Sequence, residues 1–177
     1  MTWDAVAHGP PLRGRRRSRT VVPAALDMLA KDARNQVKHV RRLHEDGRLD
    51  RLDDLERLHD LRKTGRALRH TVDALPDPRA AGLPDKATRR LGKRGARIQS
   101  ALGDHRDALL LAEHVAATAD HAGAEEWAAL QGIDLASYRV MVAAAHERAA
   151  DAVADLPDLL ADLDTAARRF TRKIAKK

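Results

Sequence analysis

Residues 58–70, Leu58 through His70, constrain this chain more than any other stretch. Wound as an α-helix, His59, Arg62, Lys63, Arg66, Arg69 and His70 fall within about 120° of arc. Leu58, Leu61, Leu68, Val72 and Leu75 fall on a separate arc of about 100°. One helix therefore carries an apolar stripe for a core and, beside it, a cationic stripe. An ordinary solvated helix face intersperses acids to form i,i+4 pairs. Here the nearby acids are Asp60, off the cationic arc, and Asp73 at its end. Repulsion along such a stripe is relieved by counter-ions or by a polyanion laid against it. An exposed basic face with no ligand is the competing reading.

The rest of the chain favours helix throughout. The apolar residues are mainly Ala, Leu and Val, and Trp3, Trp127, Tyr138 and Phe170 are the only aromatics in 177 residues, so β-structure is not expected. The absence of cysteine excludes disulfides, thiolate metal sites and cysteine nucleophiles, and suits a cytoplasmic setting. No apolar run is long enough for a membrane span, and the basic N-terminus is not followed by the apolar stretch of a secretory leader, so no membrane association is expected.

Charge is unevenly distributed behind a net +7. Residues 1–106 hold 25 Lys/Arg against 14 Asp/Glu, whereas residues 107–167 hold 2 against 12. The first two-thirds of the chain is thus the part that attracts anions. Residues 1–22, with Gly9-Pro10-Pro11 and the run Arg13 to Arg19, read as a disordered basic arm. Residues 23–175 read as one all-α, antiparallel bundle of about four to five helices.

A first helix is expected from Pro23, which suits a first turn, to Glu45. Lys31, Arg34, Lys38, Arg41 and Arg42 share one arc beside the apolar stripe of Leu26, Leu29, Ala33, Val37 and Val40. A second begins around residues 51–54 and stops before Pro76. A third enters at Pro84-Asp85 and runs to about His121, with a dent expected at Gly103. Leu91, Ile98, Leu102 and Leu109 form its core stripe, with Arg90, Lys93, Arg94 and Arg97 to one side. Beyond Gly123 the chain is Ala-rich and acidic to residue 167; two helices are expected there, over residues 124–155, with an interruption at Gly132, and over 157–174, and read as structural. In an up-and-down bundle the three cationic stripes can align across one groove.

Catalytic signatures are absent. The nine histidines form no His-Glu-x-x-His pair, and there is neither a Gly-rich phosphate loop nor a Gly-x-Ser-x-Gly. No metal, cofactor or catalytic residue is expected. Arginine-rich helix faces imply a phosphate-bearing anion, because the guanidinium fork matches phosphate oxygens and stays charged. Single-strand nucleic-acid binders place aromatics under the bases, and no aromatic lies between Trp3 and Trp127. Inorganic polyphosphate fits better than nucleic acid, which stays open as non-specific binding through the Arg13–Arg19 arm. A helical adaptor whose acidic half docks a partner is the remaining alternative.

Two motifs resemble the conserved histidine α-helical domain (CHAD) family. The first is His59-x-x-Arg62-Lys63-x-x-Arg66-x-x-Arg69, and the second is Leu102-Gly103-x-x-Arg106-Asp107 on the next helix. The resemblance, over roughly residues 24–150, implies an all-helical fold of two four-helix repeats about a basic groove, polyphosphate binding and location on polyphosphate granules. Arg34, Lys38, Arg41, Arg42, His59, Arg62, Lys63, Arg66, Arg69, Arg90, Lys93, Arg94, Arg97 and Arg106 are the candidate anion-binding residues. Each motif occurs once, which implies a single CHAD-like repeat: one that pairs as a homodimer, one whose second repeat is supplied by another chain, or one whose acidic C-terminal helices fold back over the open face.

Overall fold

The computed structural model describes residues 14–47, 52–124 and 135–176. Five helices and no strand occur among the described residues: α1 Gly14–Glu45, α2 Leu52–Asp73, α3 Asp85–Ala124, α4 Leu135–Val153 and α5 Leu156–Ile174. The all-α bundle expected from composition is the fold observed. No helix among the described residues is long and apolar enough to cross a membrane.

Turn chemistry sets the boundaries. α1 ends where Gly47 takes φ 62°, a left-handed conformation open to glycine at little cost. Pro76 and Pro78 follow α2, and the loop beyond closes with a hydrogen bond from Leu83 N to the Pro78 carbonyl at 2.9 Å. Asp85 then supplies an acid to the first turn of α3, where the helix dipole favours one. α1 departs from expectation at its start: the helix begins at Gly14, and Pro23 lies inside it. Proline's fixed φ is itself helical, so a helix can run through it at the loss of one backbone hydrogen bond. Residues 1–13 of the expected arm lie outside the described residues. So does the stretch 125–134, which held the expected interruption at Gly132. α3 passes Gly103 as one helix.

Side-chain pairings give the topology. Thr64 of α2 donates to Asp32 of α1 at 2.8 Å, and Arg57 of α2 reaches His39 at 3.5 Å, so α1 and α2 are antiparallel. Gly65 meets Gly95, and Val72 meets Gly92, so α2 and α3 are antiparallel as well. Tyr138 and Arg139 of α4 line a cavity with Ala119 and Asp120 of α3, while Asp162 of α5 pairs with Arg97 of α3. These two pairings share one antiparallel register. Hence α4 and α5 run in succession along α3, whose 40 residues span about 60 Å.

α1, α2, the first half of α3 and α5 close a four-helix, up-and-down ring. Its core holds Leu26, Val37 and Val40 from α1, Leu61 and Leu68 from α2, and Leu91, Ile98 and Leu102 from α3. The apolar face of α5 completes it with Leu156, Leu160, Leu163 and Phe170. Of the two C-terminal helices expected to fold back over a lone repeat, α5 does so and covers the first three, whereas α4 packs on the far half of α3. Beyond the ring, α4 packs on α3 as a hairpin with a thin interior, in which Ala108, Ala112, Val115, Ala145 and Ala149 are buried. Leu110, Leu111, Val140 and Met141 of this hairpin are exposed.

Candidate functional site

The seam between α2 and α3 is where the two motifs meet, and glycines bring its helices together. A β-carbon built on Gly65 or on Gly95 would lie 2.7 Å from the other's carbonyl oxygen, and one on Gly92 would lie 2.8 Å from Val72 Cβ. Small residues thus floor the seam, and long cationic side chains rise along it. At one end, His59, Arg62 and Arg106 line a cavity of about 410 Å³ together with Leu55, Leu58, Leu102, Leu109, Leu110, Glu56 and Glu113. Arg106 Nη1 lies 3.4 Å from His59 Nδ1. The Arg62 guanidinium lies over Gly103, 3.6 Å from where a β-carbon would stand. Its Nε is buried without a hydrogen-bond partner. Toward the other end, Arg69, Arg89 and Lys93 line a second cavity of about 310 Å³ with Asp73, Gly92 and Ala96. Arg66 is exposed on α2 between the two.

The acids beside this stripe are less remote than the helical projection implies. Lys63 Nζ pairs with Asp60 at 2.8 Å, and Arg69 Nε pairs with Asp73 at 3.4 Å. Asp60 is off the arc, but the flexible lysine stem reaches across it. The Lys63 hydrogen bond holds the Asp60 carboxyl below its ordinary value; slight desolvation opposes this, and the charged forms of Lys63 and His59 add to it. Both pairs are exposed, and such pairs contribute little.

The single three-helix groove expected from the sequence is divided by α5. Arg94 pairs with Asp162 at 2.9 Å, Arg97 reaches the same carboxylate at 3.7 Å, and Arg34 of α1 pairs with Asp164 at 3.5 Å. Three of the fourteen candidates are thus engaged by aspartates of a helix read from sequence as merely structural. Arg94 and Arg97 lie on the flank of α3 that faces α5, away from α2. On that flank they line a broad, open cavity with Lys86, Arg89, Arg90 and Lys93. Lys38, Arg41 and Arg42 are exposed on α1. Among the described residues, Lys38, Arg41, Arg42, Arg62, Arg66, Arg90, Lys93 and Arg106 form no ion pair.

Sequence reasoning missed Lys86 and Arg89. Arg89 lines both the seam cavity and the outer flank of α3, and bonds Asp85 at 2.7 Å. It shares the seam face with Lys93 at i+4, so a projection centred on Lys93 would have found it. The pairing of Gly65 with Gly95 was invisible because it joins residues on different helices.

Comparison with curated proteins and with solved structures returns no match. The family model described as CHAD domain matches residues 1–116, from the N-terminal segment through α1 and α2 and well into α3. It covers both motifs and the whole α2–α3 seam, more than half of the chain. On that match, together with its helical fold, the chain belongs to the CHAD domain family.

Proposed function

We propose that this chain binds inorganic polyphosphate without chemical turnover, along the α2–α3 seam. The observation that carries the reading is the composition of that seam. Cations from both helices, Arg62, Arg66 and Arg69 with Arg89, Lys93 and Arg106, flank a floor of small residues. Each charge-assisted phosphate contact contributes about 1.5–3 kcal/mol, so four or five engaged side chains are enough for tight binding after ordering costs. Tyr138 sits against the far half of α3 and Phe170 is buried in the core, so neither supplies a stacking platform at the seam. That favours a ligand with phosphates and no bases. His59 orients Arg106, and Lys63 joins the ligand by exchanging Asp60 for phosphate. Arg34, Arg94 and Arg97 act less directly, since α5 already supplies their counter-charge. Membership of the CHAD domain family supports the same ligand and a place on polyphosphate granules.

The test is replacement of Arg62, Arg66 and Arg69 together by Ala. Polyphosphate binding is expected to fall by at least a hundredfold while the helical circular-dichroism signal persists, because none of the three belongs to the core. Wild-type affinity in the triple variant overturns the seam assignment. Polyphosphate is also expected to displace labelled nucleic acid at far lower concentration than the reverse; the opposite order favours a nucleic-acid ligand.

A further inference from the structure

Beyond inorganic polyphosphate, we propose that the cavity at the α2 N-terminal end of the seam, which shares Arg62 and Arg106 with the polyphosphate reading, also binds a small amphiphilic anion. Such a ligand has a phosphate or carboxylate head on an aliphatic body. The cavity's volume of about 410 Å³ falls within the range of small-molecule sites. Its two parts differ in chemistry. One rim gathers His59, Arg62 and Arg106, and neither arginine is ion-paired among the described residues. The remaining wall is mainly leucine, with the buried His105 beside Arg106 and the carboxylates Glu56 and Glu113 also lining it, and Leu110 there is 47% exposed in spite of its apolar side chain.

An inorganic phosphate chain does not suit that wall. Running past Arg106 along α3, it would leave the cations, cross leucines that offer no donor, and meet Glu113 two turns on, about 10 Å away. An aliphatic tail meets the same surface favourably, removing its own area and that of Leu109 and Leu110 from water. The head then sits between Arg62 and Arg106, where guanidinium forks fit oxyanions. Arg62 lies at the cavity with its guanidinium resting over Gly103. Glu56 and Glu113 set the polarity of the site by repelling a head placed at the wrong end.

The experiment is calorimetric titration of the full chain with octyl phosphate, below its micellar concentration, and with methyl phosphate and octyl glucoside. Octyl phosphate is expected to bind once per chain, at least tenfold more tightly than methyl phosphate, and octyl glucoside is expected not to compete. Leu110→Gln, a change at a half-exposed position, is expected to reduce the octyl advantage below threefold and to leave inorganic polyphosphate affinity within twofold. Equal affinity for the two phosphates overturns the proposal. Competition by octyl glucoside overturns it too, since the surface is then merely sticky. An octyl advantage that survives both Leu109→Gln and Leu110→Gln places the tail elsewhere and also overturns it. Because inorganic polyphosphate is titrated separately, failure of the seam reading and failure of this one give different results.

Discussion

Gly65 and Gly95 face each other at the closest approach of α2 and α3, each leaving 2.7 Å between its absent β-carbon and the other's carbonyl oxygen. No real β-carbon tolerates that distance against backbone, so alanine at either position forces the helices apart. Gly65→Ala and Gly95→Ala are each expected to destabilise the fold by about 1–3 kcal/mol, the usual cost of overpacking. Both should weaken polyphosphate binding by widening the seam. Gly103→Ala is the contrast: its nearest neighbour would be Arg62 Nε at 3.6 Å, an ordinary contact. Helix propensity then favours alanine by up to about 1 kcal/mol. Thermal denaturation of the three variants checks the order; a Gly95→Ala protein as stable as wild type would refute the close crossing.

Asp162 is shared by Arg94 and Arg97, and its removal leaves both cations without that counter-charge. Asp162→Asn is expected to raise polyphosphate affinity severalfold at low salt. Its cost to stability should stay under about 1 kcal/mol, because the carboxylate is substantially exposed. Titrations at two salt concentrations provide the check. A lower affinity would mean that Asp162 holds the two arginines in a binding geometry instead of competing for them.

Asp60 reports on Lys63. The folded carboxyl titrates below its ordinary value because of the Lys63 hydrogen bond. The small stability it contributes is therefore present above the unfolded carboxylate value of about 3.9 and is lost as pH falls through the depressed one. A polyphosphate chain that draws Lys63 away and adds negative charge nearby should raise the Asp60 value toward or past the ordinary range. Carboxyl-detected NMR with and without polyphosphate measures it. An unmoved Asp60 would remove Lys63 from the binding set.

What could be read in the chain, and what could not, follows from the reach of each signal. Helical periodicity is local, so most of the core stripes were legible: Leu58, Leu61, Leu68, Val72, Leu91, Ile98 and Leu102 are buried, whereas Leu75 is only partly buried against them and Leu109 lines the cavity instead of the core. Glycine and proline punctuation placed the C-terminal ends of α1 and α2 to within a residue or two, whereas Pro23 misplaced the start of α1 by nine residues. Angular position on one helix also separated the cationic arcs from the core. It could not say which neighbour each arc faces. That depends on register between helices, and the register rests on contacts such as Gly65 with Gly95 and Arg97 with Asp162. The fourteen candidates consequently looked equivalent, although α5 engages three of them. Asp60 illustrates the same limit within one helix, since a flexible lysine crosses an angular gap that a projection treats as fixed.

Self-association is the last expectation. A lone repeat would leave an open core face, but α5 covers that face. A different apolar surface remains: on the α3–α4 hairpin, Leu111 is 40%, Val140 68% and Met141 52% exposed. The hairpin's own interior is mostly alanine, and side chains that small bury too little area to hold a two-helix projection by themselves. A second copy offering the same surface across a twofold axis would cover both hairpins at once. The hairpin also belongs to the acidic part of the chain, so this pairing leaves the basic seams on other faces, and polyphosphate should not be needed for it. Equilibrium sedimentation is expected to give a dimer with and without polyphosphate. Val140→Asp with Met141→Asp is expected to give monomers that still bind it. A wild-type monomer under both conditions would show that the hairpin stands without a second copy. A dimer seen only with polyphosphate would instead mean that one ligand chain bridges two seams.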